Sequence, residues 1–200
     1  MQRAGPAPGE PPLMTDEVHK VTTILGLAAG PEANGRTSAG VAAVLAGAAK
    51  AGAATQLLQL SSSDVDLVLE EVAIADAVVI GSPVYRASFS ALLKGFLESL
   101  ERGMWGESTA PLQGKAAALV MTGASGHHFL ALRDLRDVLA GFFAVQVLSP
   151  GLYLDHGAYL NRATIDADAG ALAAGHGAAL VDLAEAVRRS SALSSLRPQV

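Results

Sequence analysis

The chain has 200 residues, of which 50% are hydrophobic, and a formal net charge of -5 at pH 7. Its length and apolar content suit one compact domain, and its negative charge, without a Lys/Arg cluster, argues against nucleic acid or an anionic membrane as the main partner. The absence of cysteine excludes disulfides, thiolate metal sites and cysteine nucleophiles. No apolar run approaches membrane-spanning length. We therefore expect a cytoplasmic protein that acts on small molecules.

The two ends of the chain differ in composition from its middle. The first residues carry several Pro and Gly among small polar side chains, so they can bury little apolar surface. We assign residues 1–16 to a disordered amino-terminal extension, residues 17–190 to the folded domain and residues 191–200 to a tail.

Within the domain, buried apolar runs alternate with segments of helical periodicity. The predicted strands are 19–27, 55–60, 77–80, 115–121 and 144–148, the last with a continuation at 152–154. The predicted helices run from 37 or 38 to 51, over a short segment after residue 60, and over 89–100, 130–142 and 164–189. Such alternation is typical of an α/β fold with a parallel sheet between two helical layers. For five strands, the order 2-1-3-4-5 is the natural arrangement.

The loops after strands one, three and four then open at one edge of the sheet, beside the switch between strands one and three. Open α/β sheets bind their ligands at this position. In the first loop, Arg36, Thr37 and Ser38 begin a helix, whose free amides and positive end favour an anion. We infer a candidate phosphate site. Taken alone, however, the pattern fits better a capped helix with a solvated arginine.

The second loop runs from Gly81 to Arg86 and follows a buried strand directly, so we interpret it as a tight turn. Pro83 restricts the backbone, and Tyr85 offers a flat ring with a polar tip, against which a planar ligand can lie. The alternative is a structural turn in which Tyr85 covers the sheet edge. The helix that follows can be capped by Ser88 or Ser90.

The third loop, from Thr122 to Gly126, is rich in small residues, which let the backbone approach a flat ligand closely. It does not match the glycine fingerprint of nicotinamide dehydrogenases, which belongs to the first strand and its helix. His127 and His128 follow it without a third ligand nearby, so we predict no metal site.

Together these loops resemble the NAD(P)H-dependent FMN reductase family of flavodoxin-like proteins, in particular the reductases that supply reduced flavin to sulfonate monooxygenases. The most specific stretch is GSPVYRASFSALLKGFLE, from Gly81 to Glu98, which is similar to the family motif G-(S/T)-P-V-Y-(K/R)-A-(S/A)-(Y/F)-S-x-x-L-K. The segment Leu112–Lys115 is similar to L-x-G-K. Residues 122–130 are similar to the turn T-G-G-x-x-x-H-x-L, with Ala124 in place of the second Gly.

The resemblance implies a flavodoxin-like three-layer sandwich that binds FMN and receives hydride from NADPH or NADH. The cofactor-binding residues that it implies are Gly30, Arg36, Thr37 and Ser38 at the phosphate, Pro83, Val84, Tyr85 and Arg86 along the isoalloxazine, and Thr122, Gly123, Ala124 and Ser125 closing over the ring. No acid/base residue is assigned, because hydride transfer can rest on positioning alone. The resemblance also implies a homodimer or homotetramer and a flavin-dependent monooxygenase as partner.

The first loop departs from the family pattern. Ala29-Gly30-Pro31-Glu32 stands where the family has G-S-P-R, and Gly35 replaces the first serine of S-R-(S/T)-S. Two hydroxyl donors are lost and an acid is added, which predicts weaker phosphate binding. Two alternatives therefore stay open: a quinone- or azo-type reductase with tightly bound FMN, since one fold serves many acceptors, and a non-catalytic flavin-binding or partner subunit. We expect Trp105 either to cover the site or to lie in a subunit contact.

Overall fold

The computed structural model describes residues 20–199. The predicted amino-terminal extension, residues 1–16, lies outside the described residues. Within them, strands alternate with helices, as the apolar periodicity predicts. No helix of the described residues combines the length and apolar character needed to cross a bilayer.

A seven-stranded sheet forms the centre of the molecule. Its strands are β1 (Thr23–Ala28), β2 (Ala54–Gln59), β3 (Ala77–Tyr85), β4 (Ser88–Phe89), β5 (Ala116–Thr122), β6 (Gln146–Val147) and β7 (Leu152–Leu154). The path across the sheet is β2-β1-β3-β5-β6, with every neighbour parallel. The predicted parallel α/β sheet is therefore confirmed. The prediction of five strands in the order 2-1-3-4-5 is wrong.

Two local features produce the additional strands. Gly81–Tyr85, predicted as a tight turn, instead extends β3, and the chain reverses at Arg86 and Ala87, whose φ values are 53° and 68°. Two successive positive φ values are typical of a type I′ hairpin turn, which brings β4 back antiparallel to β3. On the other side, β6 and β7 pair with opposite ends of β5 rather than forming one continuous strand.

Helices cover both faces of the sheet. They are α1 (Arg36–Lys50), α2 (Val65–Ile74), α3 (Ala91–Ser99), α4 (Ala131–Asp137), α5 (Ala167–Arg189) and α6 (Ser191–Ser194), and α4 continues as a π-helical turn over Val138–Phe142. The short helix α6 lies in the predicted tail. One apolar core packs α2, α3 and α4 against the sheet, and a second packs α1 and α5 against its other face. The alternation of side chains along each buried strand supplies both cores.

Close contact between α1 and α5 fixes the position of α1. A Cβ on Gly47 would overlap the backbone of Ala174, and one on Gly177 would overlap the carbonyl of Val44. Only glycine allows the two backbones to approach this closely. The carboxyl-terminal half of α1 is thereby fixed against α5.

Candidate functional site

A cleft of about 270 Å³ opens at the carboxyl edge of the sheet, beside the switch between β1 and β3. The loops after β1, β5 and β7 contribute to it, together with the end of β3. Its lining residues are Gly30, Pro31, Glu32, Gly35, Arg36, Thr37, Pro83, Val84, Tyr85, Thr122, Gly123, Ala124 and Arg162. The volume lies just below the ~300–1,000 Å³ common for ligand pockets, as suits a shallow cleft.

Nine of the twelve residues predicted to contact flavin line this cleft, and Ser38, Arg86 and Ser125 do not. Arg86 is exposed at the β3–β4 turn. The Oγ of Ser125 lies 3.4 Å from Nδ1 of His128. The contact of each residue with flavin stays a prediction. Trp105 is also absent from the lining: it lies in the loop between α3 and β5, with 82% of its surface exposed.

The side chain of Ser38 holds the first loop in place instead of facing the cleft. Ser38 is buried, and its Oγ donates to Oε1 of Gln59 at 2.7 Å. Nε2 of Gln59 in turn donates to the carbonyl oxygen of Gly30 at 2.6 Å. Gln59 ends β2, and sequence analysis did not single it out. The Ser38 hydroxyl thus shapes the candidate phosphate loop by fixing Gly30.

The amino terminus of α1 has no side-chain cap, because Gly35 occupies the N-cap position. In contrast, Asp64, Ser90 and Asp166 cap α2, α3 and α5 through side-chain oxygens. The first amides of an α-helix have no intrahelical partner. No acidic residue lies in the first turn of α1. The helix end therefore offers N–H donors and a positive dipole to an anion in the cleft.

Arg36 is anchored by the segment that follows β7. Its Nη2 donates to Nδ1 of His156 at 2.8 Å, and its guanidinium carbon lies 5.7 Å from the centroid of the Tyr159 ring. The Tyr159 hydroxyl donates to the Arg36 backbone carbonyl at 3.0 Å. Burial raises the pKa of Tyr159, so this hydroxyl stays protonated as a donor. Arg36 also lines the cleft, and its Nε is buried without a hydrogen-bond partner among the described residues.

A buried serine pair connects the first loop to the wall of the cleft formed by Pro83–Tyr85. The amide of Ser90 donates to Oγ of Ser82 at 2.9 Å, and Oγ of Ser90 donates to the carbonyl of Ala29 at 3.0 Å. Ser90 also caps α3 by accepting from the amide of Leu93. Both serines are buried. These bonds tie the end of β1 to the Pro83–Tyr85 wall.

The third loop is held from two directions. Oγ1 of Thr37 and Oγ1 of Thr122 lie 2.9 Å apart in a buried hydrogen bond. The Tyr153 hydroxyl donates to the carbonyl of Ser125 at 2.6 Å. A Cβ on Gly123 would overlap that hydroxyl, so the loop requires glycine here. Burial, and secondarily Asp155, raises the pKa of Tyr153, which keeps the donor protonated.

Arg162 lies at the rim of the cleft and pairs with Glu32. Its Nη2 lies 2.5 Å from Oε1 of Glu32, and both side chains line the cleft. Sequence analysis missed Arg162, His156 and Tyr159. All three follow β7, so the rule that loops at the carboxyl edge build the site would have pointed to this segment.

The fold and this cleft define a flavodoxin-like α/β protein in which the uncapped amino terminus of α1 lies beside an open, partly apolar wall. The model of the family described as NADPH-dependent FMN reductase matches residues 22–158, which run from the start of β1 to beyond β7. The chain therefore belongs to the NADPH-dependent FMN reductase family.

Individual relatives agree with this assignment. The chain is 33% identical over 93 residues to the NADH-dependent FMN reductase SfnF of Pseudomonas putida, a match that covers 46% of each protein. It is 28% identical over 101 residues to an NAD(P)H-dependent FAD/FMN reductase of Geobacillus thermodenitrificans, with 50% of each covered. The matches thus span about half the length of these curated relatives.

Solved structures share the fold over a larger part of the chain. The apo form of the NADH:FMN oxidoreductase EMOB superposes with a TM-score of 0.70 at 21% identity, covering 88% of this chain and 95% of that one. A WrbA-like flavodoxin protein from Agrobacterium tumefaciens gives a TM-score of 0.64 at 18% identity, covering 84% and 99%. At these identities the likeness shows the flavodoxin-like fold alone.

Proposed function

We propose that the protein is an NAD(P)H-dependent FMN reductase that transfers hydride from NADPH or NADH to FMN. The observation that carries the proposal is the uncapped amino terminus of α1, which opens beside the anchored Arg36 into a cleft with a partly apolar wall. Membership of the reductase family supports the same activity.

The residues present fit FMN at both ends of the cleft. At one end, the amides of residues 36–38 and the guanidinium of Arg36 would hold the phosphate. At the other end, Val84 and the half-exposed ring of Tyr85 offer apolar surface to the isoalloxazine. On the opposing loop, Gly123 lines the cleft with backbone only, because it has no side chain.

Bound FMN would supply the hydride-accepting chemistry, and the chain contributes binding and orientation. The hydroxyls of Thr37 and Thr122 are hydrogen-bonded to each other, so we assign them the role of holding the first and third loops together. The Ser82–Ser90 pair holds the Pro83–Tyr85 wall in position against the first loop. We assign no residue to proton transfer.

One observation favours a second candidate, a non-catalytic flavin-binding or partner subunit. The first loop offers fewer hydroxyls to a phosphate than the resemblance implies, and the Ser38 hydroxyl is taken up by Gln59. A reductase with tightly bound FMN and a quinone or azo acceptor differs from the leading proposal in retaining its flavin, and from the non-catalytic subunit in turning over an acceptor. The monooxygenase partner, the homodimer or homotetramer and the cytoplasmic location stay predictions.

A spectrum and an oxidation assay separate these functions. The leading proposal expects purified protein that oxidises NADPH or NADH only after FMN is added. Yellow protein that retains flavin through purification, and reduces quinone or azo acceptors, would support the reductase with tightly bound FMN. Flavin binding without nicotinamide oxidation would overturn the reductase proposal in favour of the non-catalytic subunit.

A further inference from the structure

Glu32 and Arg162 form an ion pair across the phosphate end of the cleft. Oε1 of Glu32 lies 2.5 Å from Nη2 of Arg162, although the two residues are separated by 130 positions in the chain. Both side chains line the cleft. The side chains are 52% and 67% exposed, so the pair lies in the mouth of the cleft in contact with solvent.

Glu32 is held close to the helix end that we propose as the phosphate site. Its backbone carbonyl accepts from the amide of Gly35, the N-cap residue of α1, at 3.2 Å. This bond places the backbone of Glu32 beside the helix end, and its carboxylate lines the same cleft, where the positive helix end that would bind a phosphate also attracts it. Without a partner, Glu32 would therefore repel the phosphate and compete with it for the helix end.

Arg162 changes this balance of charge. Within residues 20–199, three charged side chains line the cleft: Glu32 with one negative charge, and Arg36 and Arg162 with one positive charge each. Their sum is +1. Removing Arg162 lowers it to 0, and neutralising Glu32 raises it to +2. A phosphate monoester carries about -1.5 to -2 charges at pH 7, so it senses both changes, whereas an unphosphorylated flavin does not.

We propose that Arg162 is a specificity-determining residue that, together with Arg36, raises the preference of the cleft for FMN over riboflavin. It acts by neutralising Glu32 at the mouth of the phosphate end. The inference rests on the proposed binding of FMN in this cleft. It also explains how the first loop can carry Glu32 beside a phosphate site, because Arg162, from the segment after β7, compensates its charge.

The test measures equilibrium dissociation constants for FMN and for riboflavin by quenching of flavin fluorescence, without nicotinamide. Arg162→Gln is expected to weaken FMN about fivefold, the scale for one exposed charge acting on a dianion, and to leave riboflavin within about twofold. Glu32→Gln is expected to tighten FMN by about threefold by the same reasoning. The double variant is expected to return close to wild type, since it restores the net charge of the cleft.

Two controls separate electrostatics from structure. Arg189→Gln removes an equally exposed arginine that pairs with Glu185 on α5, and it is expected to change neither constant. The effect of Arg162→Gln is expected to shrink between about 0.1 and 1 M salt, as the Debye length falls from about 10 Å to about 3 Å.

The outcomes distinguish the inference from the function on which it rests. Equal weakening of FMN and riboflavin in Arg162→Gln would show that the ion pair only holds the two loops together. This result would overturn the inference. Unchanged FMN affinity in both single variants would also overturn it. Wild-type protein that binds riboflavin as tightly as FMN would instead refute the proposed phosphate site. The expected gain in Glu32→Gln keeps the inference falsifiable even if Arg162→Gln folds poorly.

Discussion

Replacing Arg36 with alanine removes the guanidinium that His156 and Tyr159 hold at the phosphate end of the cleft. A hydrogen bond to a charged group contributes about 1.5–3 kcal/mol. Since about 1.4 kcal/mol corresponds to tenfold in affinity, we expect FMN to bind about 10- to 150-fold more weakly. Riboflavin has no phosphate, so its affinity is expected to stay within about twofold.

The local fold is expected to survive this substitution. The Tyr159 hydroxyl donates to the backbone carbonyl of residue 36, which alanine retains. Thermal unfolding of Arg36→Ala should therefore resemble that of wild type. His156→Ala is the matched variant: it keeps the guanidinium but removes its anchor, so we expect a smaller, roughly threefold loss for FMN from the added side-chain freedom.

The assay is the same pair of fluorescence titrations, with FMN and with riboflavin, at a fixed salt concentration. Arg36→Lys retains the charge but loses the forked donor set, so its FMN affinity is expected to fall between wild type and alanine. Equal losses for FMN and riboflavin in Arg36→Ala would refute the assignment of this end of the cleft to the phosphate.

Two further predictions concern positions that hold the site and the sheet. Gly123→Ala forces a Cβ onto the Tyr153 hydroxyl, so we expect about 1–3 kcal/mol of destabilisation in urea unfolding and weaker binding of both flavins; unchanged stability would contradict the packing argument. Asp76→Ala, at the opposite sheet edge, removes the acceptor for the Thr23 amide and hydroxyl and should cost about 1–3 kcal/mol without altering FMN affinity. Although burial raises the pKa of Asp76, hydrogen bonds from Lys20 and Thr23 lower it overall below 3.8. Its stabilisation is therefore complete above pH 3.8 and lost as pH falls through the lower folded-state pKa, and acid unfolding of Asp76→Ala should lack this component.

Sequence reasoning located most of the elements because each buries an apolar face that leaves a period in the chain. The limits of β3 were wrong for an identifiable reason. Gly81 and Pro83 are local signals of a turn, but the pairing of Pro83 with Thr122 on β5 keeps the segment extended. Contact with a neighbouring strand outweighed the local preference. The reversal moved to Arg86 and Ala87, whose side chains give no conventional turn signal.

The candidate site was predictable only in part, and the missing part has a common origin. Three of the cleft walls are the loop after β1, the end of β3 and the loop after β5. They carry glycine, proline or hydroxyl residues, which local sequence signals could single out. The segment after β7 supplies His156, Tyr159 and Arg162, and their partners Arg36 and Glu32 lie more than 100 positions earlier. No local periodicity reports such a distant contact.

The sequence by itself determined the α/β class, the segments that line the cleft after β1 and β5, and the family motif, because these depend on local periodicity and on residue types at fixed spacing. Tertiary structure alone decided which hydroxyls face the cleft and how its charges are balanced. Ser38 turned to Gln59, and Glu32 gained Arg162, through contacts between separate strands and loops. Such contacts depend on how the chain crosses the sheet, and so the electrostatics of the phosphate end emerge only in the folded molecule.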